Sequence, residues 1–130
     1  VITVWSIFIF STELPEEQLR IRVTEMAYFF LALAIGFEIA ATTFLKYSNG
    51  FSKLVPTALS LTLYLACHCT FSRAVTKINL GIAYAAWCGV GLVVTALISR
   101  FLFGDRISPA GTAGIICILT GCVLINLFGE

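Results

Sequence analysis

Apolar residues fill most of this chain in four long stretches that short polar segments separate. The stretches cover about residues 27–45, 54–71, 80–103 and 109–128. Each is long enough to span a membrane, because a helix needs roughly 20 mostly apolar residues to cross about 30 Å of hydrocarbon. The links hold turn-forming and charged residues, and such short links make neighbouring helices antiparallel. The pattern predicts an all-α membrane protein with four transmembrane helices per chain, in one domain over residues 26–130.

The first 25 residues do not fit this pattern. Their apolar run, residues 1–10, is too short to span a membrane, and the segment that follows it is polar and acidic. A signal peptide does not fit either, because no positive charge precedes the apolar run. We interpret residues 1–25 as a tail that is disordered or lies upstream of the true start, with Met26 as the natural initiator. An amphipathic surface segment is the less favoured alternative.

Composition supports the membrane assignment. Of the 130 residues, 59% are hydrophobic and only 12% are charged, and the mean hydropathy is +0.99. A water-soluble domain of this size needs a more charged surface. The net charge of +1 and the lack of a basic run argue against a nucleic-acid partner.

Lys and Arg residues are spread almost evenly over the two membrane faces. With four spans, the first and third links lie on one side, and the second link lies on the other with both chain ends. The side with the second link and the chain ends has Arg73 and Lys77, plus Arg20 and Arg22 if the tail is real. The side with the first and third links has Lys46, Lys53, Arg100 and Arg106. Because orientation follows the Lys and Arg bias, this near balance permits insertion in both directions, and so an antiparallel dimer.

A dimer is also expected from the space that a substrate needs. Four helices pack with little room between them, whereas an organic ligand occupies a cavity of roughly 300–1,000 Å³. Two copies of the chain would supply eight helices and a chamber between them.

Glu38 is the acidic residue that lies deep inside a predicted span, and an ionisable residue there is a functional-site candidate. On a helix, its neighbours at three and four residues include the small side chains of Ala34, Ala41 and Thr42. They leave room beside the carboxyl for another helix or a ligand. Such a carboxyl can hold a proton or exchange it for a cation. The alternative is a protonated Glu38 that merely ties helices together in a structural subunit of a membrane complex.

The third span carries aromatic residues on one helical face. The segment "GIAYAAWCGVG" spaces Tyr84, Trp87 and Gly91 by three and four residues. The π faces of Tyr and Trp attract organic cations, which a carboxylate nearby would also attract. Gly89 and Gly91 weaken the helix and favour a kink between them.

Taken in order, these segments resemble the small multidrug resistance family of bacterial exporters. The resemblance covers nearly all of residues 26–130. It rests on the membrane Glu in "FEIAATTFLKYSNGF", on Pro56, and on "GIAYAAWCGVG", "FLFGDRIS" and "GCVLINLFG". It implies a multi-pass protein of the bacterial inner membrane that works as an antiparallel homodimer. It also implies exchange of protons for lipophilic organic cations by alternating access, driven by the proton gradient without a cofactor.

The resemblance further implies roles for individual residues. Glu38 would be the shared proton and substrate carboxylate, and Gly89 and Gly91 would form the kink that lets the third helix change shape. The implied substrate-binding residues are Tyr64, Trp87, Tyr84, Ala34, Ala41 and Thr42. Gly114 and Gly121 would form the dimer interface; seven residues apart, they share a helix face and let a second helix approach closely.

The family has branches with different cargo. A guanidinium exporter typically has a Trp soon after the membrane Glu, whereas this chain has "EIAATT". Together with Tyr64, this favours the multidrug branch, which exports quaternary ammonium compounds, cationic dyes and antiseptics. Guanidinium or polyamine export stays open, as does pairing with an unlike but related chain. His68 and Cys69 depart from the bulky aromatic residues common just after Tyr64.

Some features are interpreted as structural. Cys67 and Cys69 point about 200° apart on a helix, and no metal-ligand spacing occurs, so we expect no metal site around His68. His68 itself is interpreted as a packing or solvated residue, with a role in tuning the proton chemistry as the alternative. We interpret Lys46 as a membrane anchor, and Asp105 with Arg106 as a solvated turn pair. No nucleophile–base arrangement or phosphate loop indicates an enzyme.

Overall fold

The computed structural model describes residues 15–129. Its helices are α1 Glu16–Tyr47, α2 Leu54–Ala74, α3 Leu80–Leu102 and α4 Pro109–Phe128. All four are long and apolar enough to cross a membrane. No β-strand occurs in this described range. The prediction of an all-α membrane protein with four transmembrane helices is therefore confirmed.

Helix α1 begins well before the first predicted span. Residues 16–25, which the sequence assigned to a tail, are helical, while residues 1–14 lie outside the described residues. Pro15 is the residue at which the helix is capped, and acidic residues in the first turn, Glu16 and Glu17, suit the positive helix end. Extending an existing helix also avoids the cost of nucleation. The expectation of disorder was thus wrong for residues 16–25; Met26 as initiator stays a prediction.

The other three helices begin at the residues where the predicted spans begin. Two of these starts are capped by side chains: Asn79 accepts a hydrogen bond from the Gly81 N–H at 2.9 Å, and Ser108 accepts one from Gly111 at 3.1 Å. Pro109 fills the first position of α4, where its missing N–H is of no consequence. These caps satisfy backbone donors that a helix start otherwise leaves unpaired.

The link between α1 and α2 is a tight turn with left-handed backbone. Asn49, Gly50 and Phe51 have φ angles of 49°, 68° and 64°, and this region is unfavourable for a bulky residue such as Phe. Ser48, which is fully buried, stabilises the turn by accepting a hydrogen bond from the Phe51 N–H at 3.2 Å. Its own hydroxyl donates to the Leu45 carbonyl at 2.6 Å. The turn sends α2 back along α1.

Helices α1 and α2 form the closest packed pair of the bundle. The Ser60 hydroxyl on α2 donates to the Ala41 carbonyl on α1 at 2.9 Å, and both residues are fully buried. Helix α3 packs on α1, and α4 packs mainly on α3. None of the residues of α4 is buried. The described residues of the single chain therefore leave most of the α4 surface uncovered.

The first and third links meet at one end of the bundle, as the predicted topology requires. The Lys46 ammonium forms an ion pair with the Asp105 carboxylate and lies 4.4 Å from the centroid of the Phe103 ring. The Ser99 hydroxyl also donates to Asp105. The expectation that Asp105 pairs with Arg106 was wrong. Folding brings Lys46 close to Asp105, although the two residues are distant along the chain.

Candidate functional site

Glu38 lies on α1 where this helix faces α3. Its carboxyl atom Oε2 would be 3.8 Å from a Cβ placed on Gly91, so the carboxyl rests against a part of α3 that has no side chain. Glu38 is partly exposed. Within residues 15–129 it forms no ion pair. The carboxyl is therefore held beside α3 without a fixed cationic partner.

Trp87 lies one turn before Gly91 on α3 and is only 9% exposed. Its indole Nε1 is buried and has no hydrogen-bond partner in the part of the chain that the structure describes. The indole N–H faces the Glu38 carboxyl without closing a hydrogen bond. An unpaired buried donor costs about 1–3 kcal/mol. A small movement of the carboxyl, or a bound acceptor, would satisfy it.

Trp87 is the centre of an aromatic cluster that joins α2 and α3. The Tyr84 ring lies 5.2 Å from it in a T-shaped arrangement, and the Phe71 ring lies 4.7 Å away. The His68 ring completes the cluster at 6.2 Å, also edge to face. We call Tyr84, Trp87, Phe71 and His68 the Trp87 cluster. Electron-rich ring faces next to a carboxylate suit an organic cation.

The sequence interpretation gave neither Phe71 nor His68 a substrate-binding role. Phe71 carried no expected role, and His68 was interpreted as a packing or solvated residue. The signal that could have found them is their spacing of three residues on α2, which places both on one helix face. That face meets α3, a fact that helix periodicity alone does not provide.

Tyr64 and Thr42 join α2 to α1 one turn away from Glu38. The Tyr64 and Thr42 hydroxyls are 3.1 Å apart and share a hydrogen bond. The structure thus brings two of the predicted substrate-binding residues together, close to the carboxyl along α1. In the single chain, however, their polar atoms already satisfy each other.

Ala34 and Ala41 lie in the interior of the single chain, and the substrate-binding role that the resemblance implies for them stays a prediction. Both are completely buried in helix contacts, so in the single chain they line no open wall. Their small side chains allow a neighbouring helix to approach closely, and the helices of the same chain fill that space. The room expected beside Glu38 is therefore used here for helix packing.

The four glycines with predicted roles fall into two groups. A Cβ on Gly89 would lie 3.3 Å from the Cys122 Cβ, so Gly89 allows α4 to approach α3, while Gly91 faces Glu38. Helix α3 is continuous through both. A Cβ on Gly114 or Gly121 would meet no atom of residues 15–129 within 4 Å. These two glycines lie on the uncovered surface of α4.

The cysteines beside His68 face different ways. Cys67 is fully buried and Cys69 is exposed, as expected for residues about 200° apart on a helix. Across the described part of the chain, no group of three His, Cys, Asp or Glu side chains could hold a metal ion.

The fold and the site define a class: a small multi-pass membrane protein with a carboxyl inside the membrane and an aromatic cluster beside it. Residues 26–118 match the sequence model described as "Small Multidrug Resistance protein". The chain belongs to this family, whose members are transporters rather than enzymes. It is a multi-pass protein of the bacterial inner membrane.

Curated relatives match most of the chain. The quaternary ammonium compound-resistance protein QacH of Staphylococcus saprophyticus is 40% identical over 105 residues, which cover 81% of this chain and 98% of QacH. QacC of Staphylococcus aureus, another quaternary ammonium compound-resistance protein, is 36% identical over 80% of this chain and 97% of its own length. The spermidine export protein MdtI of Salmonella arizonae is 43% identical over 75% of this chain and 89% of MdtI.

Proposed function

We propose that this protein is a proton-coupled antiporter that exports lipophilic organic cations, such as quaternary ammonium compounds, cationic dyes and antiseptics. One observation carries the proposal: the partly exposed Glu38 carboxyl lies against Gly91, one turn from Trp87, without a cationic partner among residues 15–129. A carboxyl inside a membrane is unfavourable unless it is protonated or paired. Either a bound proton or a bound cation removes this unfavourable state of the Glu38 carboxyl, and the site can hold one of them at a time.

Competition for Glu38 couples the two fluxes. A protonated Glu38 releases its proton when an organic cation binds, and a proton arriving from the other side displaces the cation. Because each ligand weakens binding of the other by the same factor, a proton gradient drives the cation outward. This coupling requires that the site open to one side of the membrane at a time.

The Trp87 cluster supports an organic rather than a metal cargo. Its rings offer apolar surface and π faces beside the carboxyl, and a cation over a desolvated Trp ring gains about 2 kcal/mol. Tyr84 is 53% exposed, so its ring is available to a ligand in the single chain. A bulky lipophilic cation matches this lining better than a small hydrated ion does.

A second copy of the chain is the proposed partner, inserted in the opposite orientation. The uncovered surface of α4 contains Gly114 and Gly121, where nothing lies within 4 Å of an added Cβ. A second α4 could approach closely there. The dimer would also bring a second Glu38 toward the first and enclose the chamber that one chain lacks.

Polyamine export is the second candidate, because the relative named for spermidine export is 43% identical. The two relatives named for quaternary ammonium resistance support the first candidate. The segment "EIAATT", which begins at Glu38, lacks the Trp of the guanidinium exporters and so argues against that third option. Parallel transport assays with tetraphenylphosphonium, spermidine and guanidinium separate the three.

Reconstituted vesicles test the proposal. An imposed proton gradient should drive uptake of tetraphenylphosphonium by the wild-type protein, and Glu38→Gln should abolish it. Glu25→Gln is the matched control, since it makes the same change on the same helix outside the apolar segment, and it should transport normally. Normal exchange by Glu38→Gln, or no cation binding by the wild type, would instead favour a structural subunit.

A further inference from the structure

His68 contributes to the site from α2, although the proposed mechanism above gives it no role. Its ring meets the Trp87 ring edge to face at 6.2 Å. Trp87 lies one turn before Gly91, and a Cβ on Gly91 would be 3.8 Å from the Glu38 carboxyl, so the ring that His68 meets is on the part of α3 next to the carboxyl. His68 therefore lies on the side of α2 that faces the aromatic cluster beside Glu38.

The hydrogen bond of His68 fixes which of its nitrogens is free. Its Nδ1 lies 2.8 Å from the Tyr64 carbonyl oxygen. A carbonyl oxygen can only accept, so Nδ1 carries the proton and donates it. In the neutral ring, Nε2 then keeps its lone pair and can accept a hydrogen bond. The backbone of α2 thus presents an acceptor at a defined position.

Contact with lipid would be unfavourable for the His68 Nε2 nitrogen. The His68 side chain is exposed in the single chain, although it lies within a membrane-spanning helix. A polar nitrogen without a partner in hydrocarbon is unfavourable. Polar residues in such helices accordingly face a cavity or another protein surface and mark a ligand path. The exposed side of His68 is therefore where we expect a cargo.

We propose that His68 is a specificity-determining residue that favours cations with at least two N–H bonds. One N–H of such a cation would donate to the Glu38 carboxylate and the second to His68 Nε2. A quaternary cation has no N–H, and a tertiary ammonium has a single one, which Glu38 takes as the charged and stronger acceptor. The inference rests on the proposed function and adds primary and secondary ammonium ions to the preferred cargo.

Three cations test this inference; each carries a benzyl group, and they differ in their number of N–H bonds. Benzyltrimethylammonium has no N–H, protonated benzyldimethylamine has one, and protonated benzylmethylamine has two. Their dissociation constants are measured on the full chain in detergent, at mildly alkaline pH where both amines stay protonated. The variants are His68→Phe and His68→Leu, which remove the acceptor, and His68→Gln, which keeps a side-chain acceptor.

The expected change is confined to the cation with two N–H bonds. In His68→Phe and His68→Leu, its affinity relative to the tertiary ion should fall roughly tenfold, the usual effect of losing a hydrogen bond to a charged group. His68→Gln should retain most of the preference. The affinity ratio of the tertiary and quaternary ions should stay within about twofold in all three variants, because neither ion needs His68 Nε2, and measurable binding of both ions shows that the variants fold.

The outcomes separate this inference from the proposed function. An unchanged ratio in both acceptor-free variants would overturn the role of His68 and leave the proposed antiporter standing. An equal loss of all three cations in both variants would make His68 a structural residue and overturn its role as well. If the wild-type protein bound none of the cations, the proposed function would fail together with the inference.

Discussion

The Glu38 carboxyl and Gly91 are held against each other: a Cβ on Gly91 would lie 3.8 Å from Glu38 Oε2. This places the carboxyl over a gap in the side-chain surface of α3. The distance is an ordinary van der Waals contact, so one added methyl group fits without displacing the carboxyl. A larger side chain at residue 91 would have to displace it.

Gly91→Ala should therefore separate stability from transport. Alanine favours a helix interior over glycine by about 1 kcal/mol, so the thermal midpoint in detergent should stay the same or rise. A stiffer α3 should slow cation transport in vesicles, since the proposed role of Gly91 is to let this helix bend. Transport at the wild-type rate by a stabilised Gly91→Ala protein would remove Gly91 from the switching mechanism.

Trp87→Phe should weaken cargo binding without harming the fold. The change keeps an aromatic ring in the cluster but removes the buried N–H that has no hydrogen-bond partner, so its loss leaves no polar group unpaired. Removing the unpaired donor stabilises the fold, whereas the cavity left by the smaller ring destabilises it, so the net change in stability should be about 1 kcal/mol or less. Tetraphenylphosphonium affinity should fall several-fold, because Phe binds cations less strongly than Trp. Equal affinity in the variant, measured by calorimetry, would show that the cargo does not contact this ring.

Bulk on the uncovered face of α4 should disrupt the proposed dimer. Gly114→Leu and Gly121→Leu each add a side chain where the single chain has nothing within 4 Å, so the chain itself should fold normally. Thr112→Leu is the control, because residues two apart lie on nearly opposite sides of a helix. Chemical cross-linking in vesicles should detect dimers in the wild type and the control, and few in the glycine variants. Undiminished cross-linking in both would place the interface elsewhere.

The ion pair between the first and third links predicts a specific acid response. The hydrogen bond from Lys46, followed by that from Ser99, holds the pKa of Asp105 below its ordinary value of 3.8. Because the pKa of Asp105 is lower in the folded protein than in the unfolded chain, the pair is fully formed above the ordinary value of 3.8. It is lost only as the pH falls through the lowered pKa of Asp105 in the folded protein. It should thus be intact at every pH at which transport is assayed.

Carbon NMR of the Asp105 side chain follows this titration directly. Lys46→Gln should move the midpoint up toward the ordinary value. Arg106→Gln, the change at the neighbouring cation, should leave it in place. If Arg106→Gln rather than Lys46→Gln shifted the titration, Asp105 would have the partner that the sequence first indicated.

The membrane helices could be predicted because their signal is local. Twenty apolar residues bounded by Pro109 or Asn79 specify a span wherever the rest of the chain lies. The early start of α1 was missed because residues 16–25 are polar, and whether a polar segment is helical depends on the helix that it extends. The Lys46–Asp105 pair was missed for a related reason, since it joins residues that only the folded bundle brings together.

The candidate site was only partly predictable for the same physical reason. Glu38 is conspicuous because an acid within an apolar segment needs an explanation, and Trp87 follows from helical spacing. Periodicity also placed Cys67 and Cys69 on different faces of α2. It could not show that the face with His68 and Phe71 meets Trp87, because that depends on how α2 and α3 pack against α1.

The most direct test of the central claim is proton release when a cation binds. Tetraphenylphosphonium added to weakly buffered, purified wild-type protein should release protons. Its affinity should fall by up to about tenfold per pH unit for each proton displaced, as the pH is lowered through the titration of Glu38. Glu38→Gln should release none. Cation binding that releases no protons and does not depend on pH would contradict the account.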